Sequence, residues 1–165
     1  MKTSDKIMTE TAKRAEITRM LSEMTEQLIA PFGDTRIYWA KEVTFDYNTK
    51  HSIRVDYMKF KPVNNTVGGI EKGDFYCFEV KSSVEDFRSL NGHNFIGDFN
   101  YYVMPQEVYY TVQWDIPYGV GVYCPDGIGL SSVRKAKRMD RKRPVSEMLL
   151  MMFRSAARDR KRKIR

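Results

Sequence analysis

Apolar side chains along this chain recur with two different periods, and the switches between them outline its elements. Between Thr11 and Ala30, Ile17, Met20, Leu21, Met24 and Leu28 fall at i, i+3, i+4, i+7 and i+11, one stripe of an amphipathic helix. Pro31, Gly33 and Asp34 end it. Strand periodicity follows in "RIYWAKEVTF" (Arg36–Phe45), closed by the turn "DYNTK", and in "HSIRVDYMKF" (His51–Phe60). In the second strand the pattern sends Ile53, Val55 and Tyr57 to one face and Arg54, Asp56 and Met58 to the other. The stretch "KPVNNTVGGIEKG" reads as a loop.

The next strand, "GDFYCFEVKSS", puts Tyr76, Phe78 and Val80 on one face and Phe75, Cys77, Glu79 and Lys81 on the other. "SVED" is a helix start, with Ser83 as N-cap and Asp86 three residues later. "FNYYVMP" reads as a short buried strand, "QEVYYTVQW" as a short helix and "GVGVYCPDG" as a last strand. Val145, Met148, Leu149, Met152, Phe153 and Ala156 restore the helical stripe behind Pro144. The order helix, three strands, helix, strand predicts an α/β fold, a mixed sheet flanked by helices.

Length places these elements in one domain, residues 1–157, with a C-terminal helix over 144–157 and a basic tail, 158–165, that has nothing to bury and is expected to be disordered. No apolar run nears the ~20 residues that span a bilayer, and "MKTSDKIMTE" lacks a secretory apolar segment, so the expectation is a cytoplasmic protein with no membrane partner. Cys77 and Cys124 belong to no C-x-x-C pair, and two histidines do not make a histidine-rich metal site. Among Phe75, Tyr76 and Phe78, Cys77 reads as a small buried hydrophobe.

Charge divides the chain unevenly. Residues 133–165 carry 14 Lys/Arg against three acids, +11, whereas residues 1–132 carry 14 against 18, −4. A basic segment on an acidic body predicts a polyanionic partner, nucleic acid first.

The opening for chemistry lies in the charges that interrupt an apolar strand. Glu79 and Lys81 share a face with roots about 7 Å apart. They are either an ion pair at a strand end or a delivered site. If Asp56 lies on a neighbouring strand, two carboxylates and an ammonium meet on one face. Close carboxylates raise each other's pKa, and a hard divalent cation such as magnesium or manganese removes the repulsion. A lysine beside that cation can serve a water or stabilise charge on a phosphate.

The residues "RVDYMKF", then "CFEVKSSVEDFRS", then "GDFNYYVMP" resemble the PD-(D/E)XK nuclease superfamily, and within it the MmcB-like DNA-repair proteins and their phage-borne relatives. Arg54 and Asp56, then Glu79, Val80, Lys81, Ser82 and Ser83, then Asp86 and Phe87 carry the likeness; the superfamily's leading proline is absent, Val55 standing in its place. The resemblance implies a restriction-endonuclease-like fold. It also implies a Mg2+- or Mn2+-dependent deoxyribonuclease acting in DNA repair or processing, with Asp56 and Glu79 as metal ligands and Lys81 as the catalytic lysine. An auxiliary acid from the first helix is expected at Glu23, which borders the apolar stripe, with Glu42 as its rival. Arg88, His93 and Asn94 are candidates for phosphate contact, as are Arg158, Arg160, Lys161, Arg162 and Lys163 in the tail. No reading head for base sequence is evident, so backbone contacts to DNA are expected, and a second copy of the chain is the candidate protein partner. The competing readings are a non-catalytic nucleic-acid- or partner-binding protein that keeps the fold, and a nuclease directed at RNA.

Overall fold

A computed structural model describes the backbone of residues 2–164 and the side chains of residues 9–164. Its elements are α1 (Lys2–Ile29), a 3-10 turn (Pro31–Gly33), β1 (Tyr38–Phe45), β2 (Ile53–Lys61), α2 (Val67–Glu71) and β3 (Asp74–Val80). They continue as α3 (Val84–Arg88), β4 (Phe99–Val103), α4 (Gln106–Val112), β5 (Gly121–Pro125), β6 (Leu130–Arg134) and α5 (Val145–Lys163). Among the described residues six strands form one open sheet whose spatial order is the chain order. β1, β2 and β3 pair antiparallel, β3, β4 and β5 parallel, and β6 closes antiparallel to β5. Parallel neighbours need a crossover, and α3 and α4 supply the two. The mixed α/β sheet expected from the order of elements is therefore present.

Helices cover both faces. On one, Val145, Met148 and Met152 of α5 pack on Val43, Phe45, Val55, Met58, Phe75 and Cys77. On the other, Leu21 and Ile29 of α1 pack on Tyr57, Phe78, Val80 and Val103. A third cluster joins Phe87 and α4 to Tyr102 and Val122. Cys77 and Cys124 are free and buried, in keeping with the core reading.

Alternation in β3 matches the pattern in the sequence: Tyr76, Phe78 and Val80 face α1, and Phe75 and Cys77 face α5. β2 departs from it. Val55 and Met58 both face α5 while Tyr57 faces α1, so the period slips at Asp56. β1 slips at the same level: Ala40 and Val43 both face α5, and Glu42 between them has φ +51°. A left-handed residue inside a strand turns its side chain out of the regular pleat.

Other expectations need correction. The loop after β2 contains α2, capped by the Thr66 hydroxyl accepting from the Gly69 N–H, and β6 lies where no strand was expected. On α1 the buried line is Leu21, Thr25 and Ile29, and Met20 is exposed. Thr25 escapes a hydrophobic pattern because its hydroxyl is satisfied inside the helix, donating to the Leu21 carbonyl at 2.7 Å. On α5 Phe153 is 65% exposed and Ser155 takes the buried place. The tail placed outside the fold is helical through Lys163, because Arg158 docks on the carbonyls of Lys41 and Glu42 at 3.3 to 3.4 Å. No described helix is long and apolar enough to cross a membrane.

Candidate active site

The β2–β3 ladder runs from Lys61 opposite Asp74 to Tyr57 opposite Phe78 and stops there. The next pair would be Asp56 and Glu79. Instead the Asp56 carboxylate accepts the Val80 N–H at 2.9 Å, replacing a strand carbonyl. The strands part at this level, and a cleft of about 1300 Å³ opens, lined by Asp56, Glu79 and Lys81 together with side chains of α1, β1 and α5.

Glu79 is 3% exposed. Its Oε1 accepts from the Asn94 amide at 3.2 Å, and its Oε2 is buried with no hydrogen-bond partner among the described residues. The same Asn94 amide donates to the Arg54 carbonyl at 3.0 Å, tying the loop after α3 to β2. That loop roofs the site. Gly92, at φ +71°, passes so close that a Cβ there would lie 2.8 Å from Lys81 Nζ and 3.2 Å from Glu79 Oε2. Only glycine accommodates both the backbone angle and the approach.

Lys81 lies just past β3, its N–H still donating to the Val103 carbonyl at 2.9 Å. Its ammonium donates to the carbonyls of Asn91, at 2.5 Å, and Asp86, at 3.3 Å. The strand-end ion pair that E-x-K spacing allows is thus not formed among the described residues. Ser83 caps α3 as its pattern predicts, its hydroxyl accepting the Asp86 N–H at 3.1 Å, and the Asp86 carboxylate accepts the Ser82 N–H at 3.0 Å. The cap aims the start of α3, including the Asp86 carbonyl, at Lys81.

Burial first, and the nearby Asp56 second, push the Glu79 carboxyl up to about 8. Burial raises Asp56 as well, against the pull of the Val80 N–H, Arg54 and Lys81. Two acids that resist ionising, one with a bare oxygen, fit a hard divalent cation that takes one or two carboxylates and fills its other positions with water or phosphate oxygens. No group of three or more Asp, Glu, His or Cys side chains converges among the described residues.

The auxiliary acids fall elsewhere. Glu23 points to solvent, 64% exposed and paired with Arg19 at 2.8 Å. The rotation of α1 onto Leu21, Thr25 and Ile29 brings Glu26 to the sheet in its place, accepting from the Tyr57 hydroxyl at 3.1 Å and pairing with Lys41 at 3.2 Å. Glu42 lines the cleft but belongs with arginines: Arg54 at 3.9 Å, Arg158 at 3.6 Å and Arg162 at 3.7 Å.

The expected phosphate contacts also divide. His93 is packed beneath the roof loop, Nδ1 against the Tyr102 hydroxyl at 2.6 Å, Nε2 against the Ser89 carbonyl at 2.8 Å, and its ring edge-on to Phe87. It holds the loop rather than reaching into the cleft. Arg88 is exposed outside the cleft, and Asn94 orients Glu79. Of the tail, Arg162 lines the cleft, Arg158 is an anchor, and Arg160, Lys161 and Lys163 lie exposed on the last turns of α5. Much of the basic segment is engaged within the molecule: Arg138 grips Asp74 at 2.7 and 2.8 Å, and Arg143 grips Asp46 at 2.7 Å. Sequence reasoning missed Gly92 and Asn91, whose importance comes from a loop folding over charges ten or more residues away; the "NG" turn was its one local signal.

No family model matches the chain, and no curated protein matches it. A solved structure described as the SPO1766 protein of unknown function from Silicibacter pomeroyi is similar, with a TM-score of 0.52 and 16% identity over 86% of each chain. At that identity the likeness is one of fold alone.

Proposed function

We propose that this protein is a metal-dependent nuclease that hydrolyses DNA phosphodiester bonds, with the restriction-endonuclease-like core that its motifs resemble. The observation that carries the reading is Glu79 Oε2, a buried carboxylate oxygen without a partner, beside a second carboxylate and a buried lysine. Burying a carboxyl oxygen without a partner costs on the order of 1–3 kcal/mol even when the acid is held neutral, and a fold keeps such a cost where a ligand offsets it. Asp56 and Glu79 would hold magnesium or manganese, which when bound supplies polarisation of a phosphoryl oxygen and neutralises charge. Asp56 is oriented by the Val80 N–H, and Glu79 by Asn94. Lys81 keeps its proton at Nζ on two backbone carbonyls and can turn that donor toward charge developing on the scissile phosphate. The roof loop limits water over the two carboxylates.

The test is a cleavage assay on plasmid, single-stranded and branched DNA and on RNA, with magnesium, manganese or EDTA. Wild type should cut DNA only with metal, and Glu79→Ala and Lys81→Ala should each lose on the order of 10²–10³ in rate. Cutting that survives in Glu79→Ala overturns the site. Salt-sensitive DNA binding without cutting on any substrate would favour the non-catalytic binding protein.

A further inference from the structure

Glu42 lies opposite Asp56, between the register pairs Lys41–Tyr57 and Val43–Val55. Its left-handed backbone is held from α5, where the Ser155 hydroxyl and the Arg158 guanidinium donate to its carbonyl at 3.3 and 3.4 Å. Its carboxylate meets three guanidinium groups from two elements, Arg54 on β2 and Arg158 and Arg162 on α5. All three separations, 3.6 to 3.9 Å, exceed hydrogen-bond length. A carboxylate therefore sits among donors spaced too widely for it. A phosphate group, with more oxygens spread over a tetrahedron, can reach several arginines at once. Arg54 and Arg162 are mostly exposed, so an incoming group can approach them.

We infer that Arg54, Arg158 and Arg162 form a seat for a backbone phosphodiester of the bound strand, next to the scissile one, and that Glu42 is its internal occupant in the free protein. This inference rests on the nuclease reading for its setting. It makes Glu42 a placeholder that the strand displaces, and not a metal ligand. Arg158 is the fixed floor of the seat, held also by the Lys41 carbonyl and Asp159. Arg54 links the seat to the site through its own carbonyl, which accepts from the Asn94 amide that also holds Glu79. Binding a strand costs the protein its Glu42 contacts, so removing the charge of Glu42 should tighten binding.

The measurement is fluorescence anisotropy of labelled single-stranded and duplex DNA oligonucleotides in EDTA, where no cutting occurs, across a salt series. Glu42→Gln should bind about five- to tenfold more tightly than wild type, as expected for freeing three weak exposed pairs. Glu42→Asn, which tolerates the left-handed backbone, should do the same. Adding Arg162→Ala should cancel the gain and lower the salt slope by about one. Unchanged or weaker binding in both Glu42 variants overturns the seat. So does a gain confined to inorganic phosphate used as competitor. So does an unchanged strand affinity coupled, in a separate manganese titration without EDTA, with weakened manganese binding, which would return Glu42 to the metal. Because no metal is present in the anisotropy measurement, the result stands apart from the cleavage assay: cutting that survives in Glu79→Ala would sink the Asp56–Glu79 site, no cutting on any substrate would sink the nuclease reading, and either would leave the seat standing.

Discussion

Two buried acids mark the two ends of β3, and the fold treats them oppositely. Asp98, 5% exposed, accepts the Phe75 N–H at 2.8 Å and has Arg141 at 3.5 Å and Arg138 at 3.7 Å. One oxygen of that carboxylate is hydrogen-bonded and the other faces two guanidinium groups, so it staples the segment before α5 to the sheet. Glu79, 3% exposed, has one amide and, among the described residues, no cation within ion-pair distance, although Lys81 is two residues away. Depth of burial is the same; only partnership differs. A satisfied buried charge is architecture, whereas an unsatisfied one raises the free energy of the empty site and lowers the cost of filling it.

Breaking the architectural acid should have the largest effect on stability. Asp98→Ala removes the acceptor for Phe75 and an ion-pair partner of Arg141, and should cost about 3 kcal/mol in urea unfolding, near the low end for a broken buried pair because Asp74 still holds Arg138 and the Gly73 carbonyl still holds Arg141. A cost below about 1 kcal/mol would mean the staple is ornamental.

Glu79→Gln should move the other way. Burial and Asp56 raise the Glu79 carboxyl from 4.5 to about 8, so the folded state holds a proton that the unfolded chain has released. Metal-free protein should therefore lose stability as pH rises from 4.5 through about 8, and Asp56, also raised, acts in the same direction. Glu79→Gln should flatten much of that slope and at pH 8 be more stable than wild type by on the order of 1–2 kcal/mol. Manganese should restore stability to wild type at pH 8 and not to Glu79→Gln. Denaturation in EDTA across pH checks this, and equal slopes for the two proteins would erase the contrast with Asp98.

The smallest effect concerns the roof. His93→Phe keeps the ring packing but loses both hydrogen bonds, and should cost roughly 1–2 kcal/mol. The local signature is faster amide exchange over 89–94, with Asp98 and its neighbours unmoved. Exchange unchanged in that loop would show that Asn94 and Lys81 suffice to hold it.

These contrasts also explain what could be read in advance. The period-two pattern of Phe75–Val80 and the cap at Ser83 are local, and both were legible. The choice of Glu23 failed because Thr25, polar by type, packs as core and rotates α1 by part of a turn. The loose tail failed for a related reason: what orders residues 158–163 is the edge of β1, more than a hundred residues earlier. The charge asymmetry was real in composition, but Arg138 and Arg143 are largely spent on Asp74 and Asp46, and Arg158 is tied to the β1 carbonyls.

By itself the sequence determined which side chains share a face of β3, where α3 begins, and that Glu79 and Lys81 emerge together from an apolar strand. Those properties follow from the pleat and from capping, which act over a few residues. Only the tertiary structure decided that Asp56 meets Glu79 where β2 and β3 part, that Lys81 leaves Glu79 for the roof loop, and that Glu42 turns to three arginines. Each of these is a pairing across separate elements, set by packing and desolvation, and alternation along one strand carries no record of it.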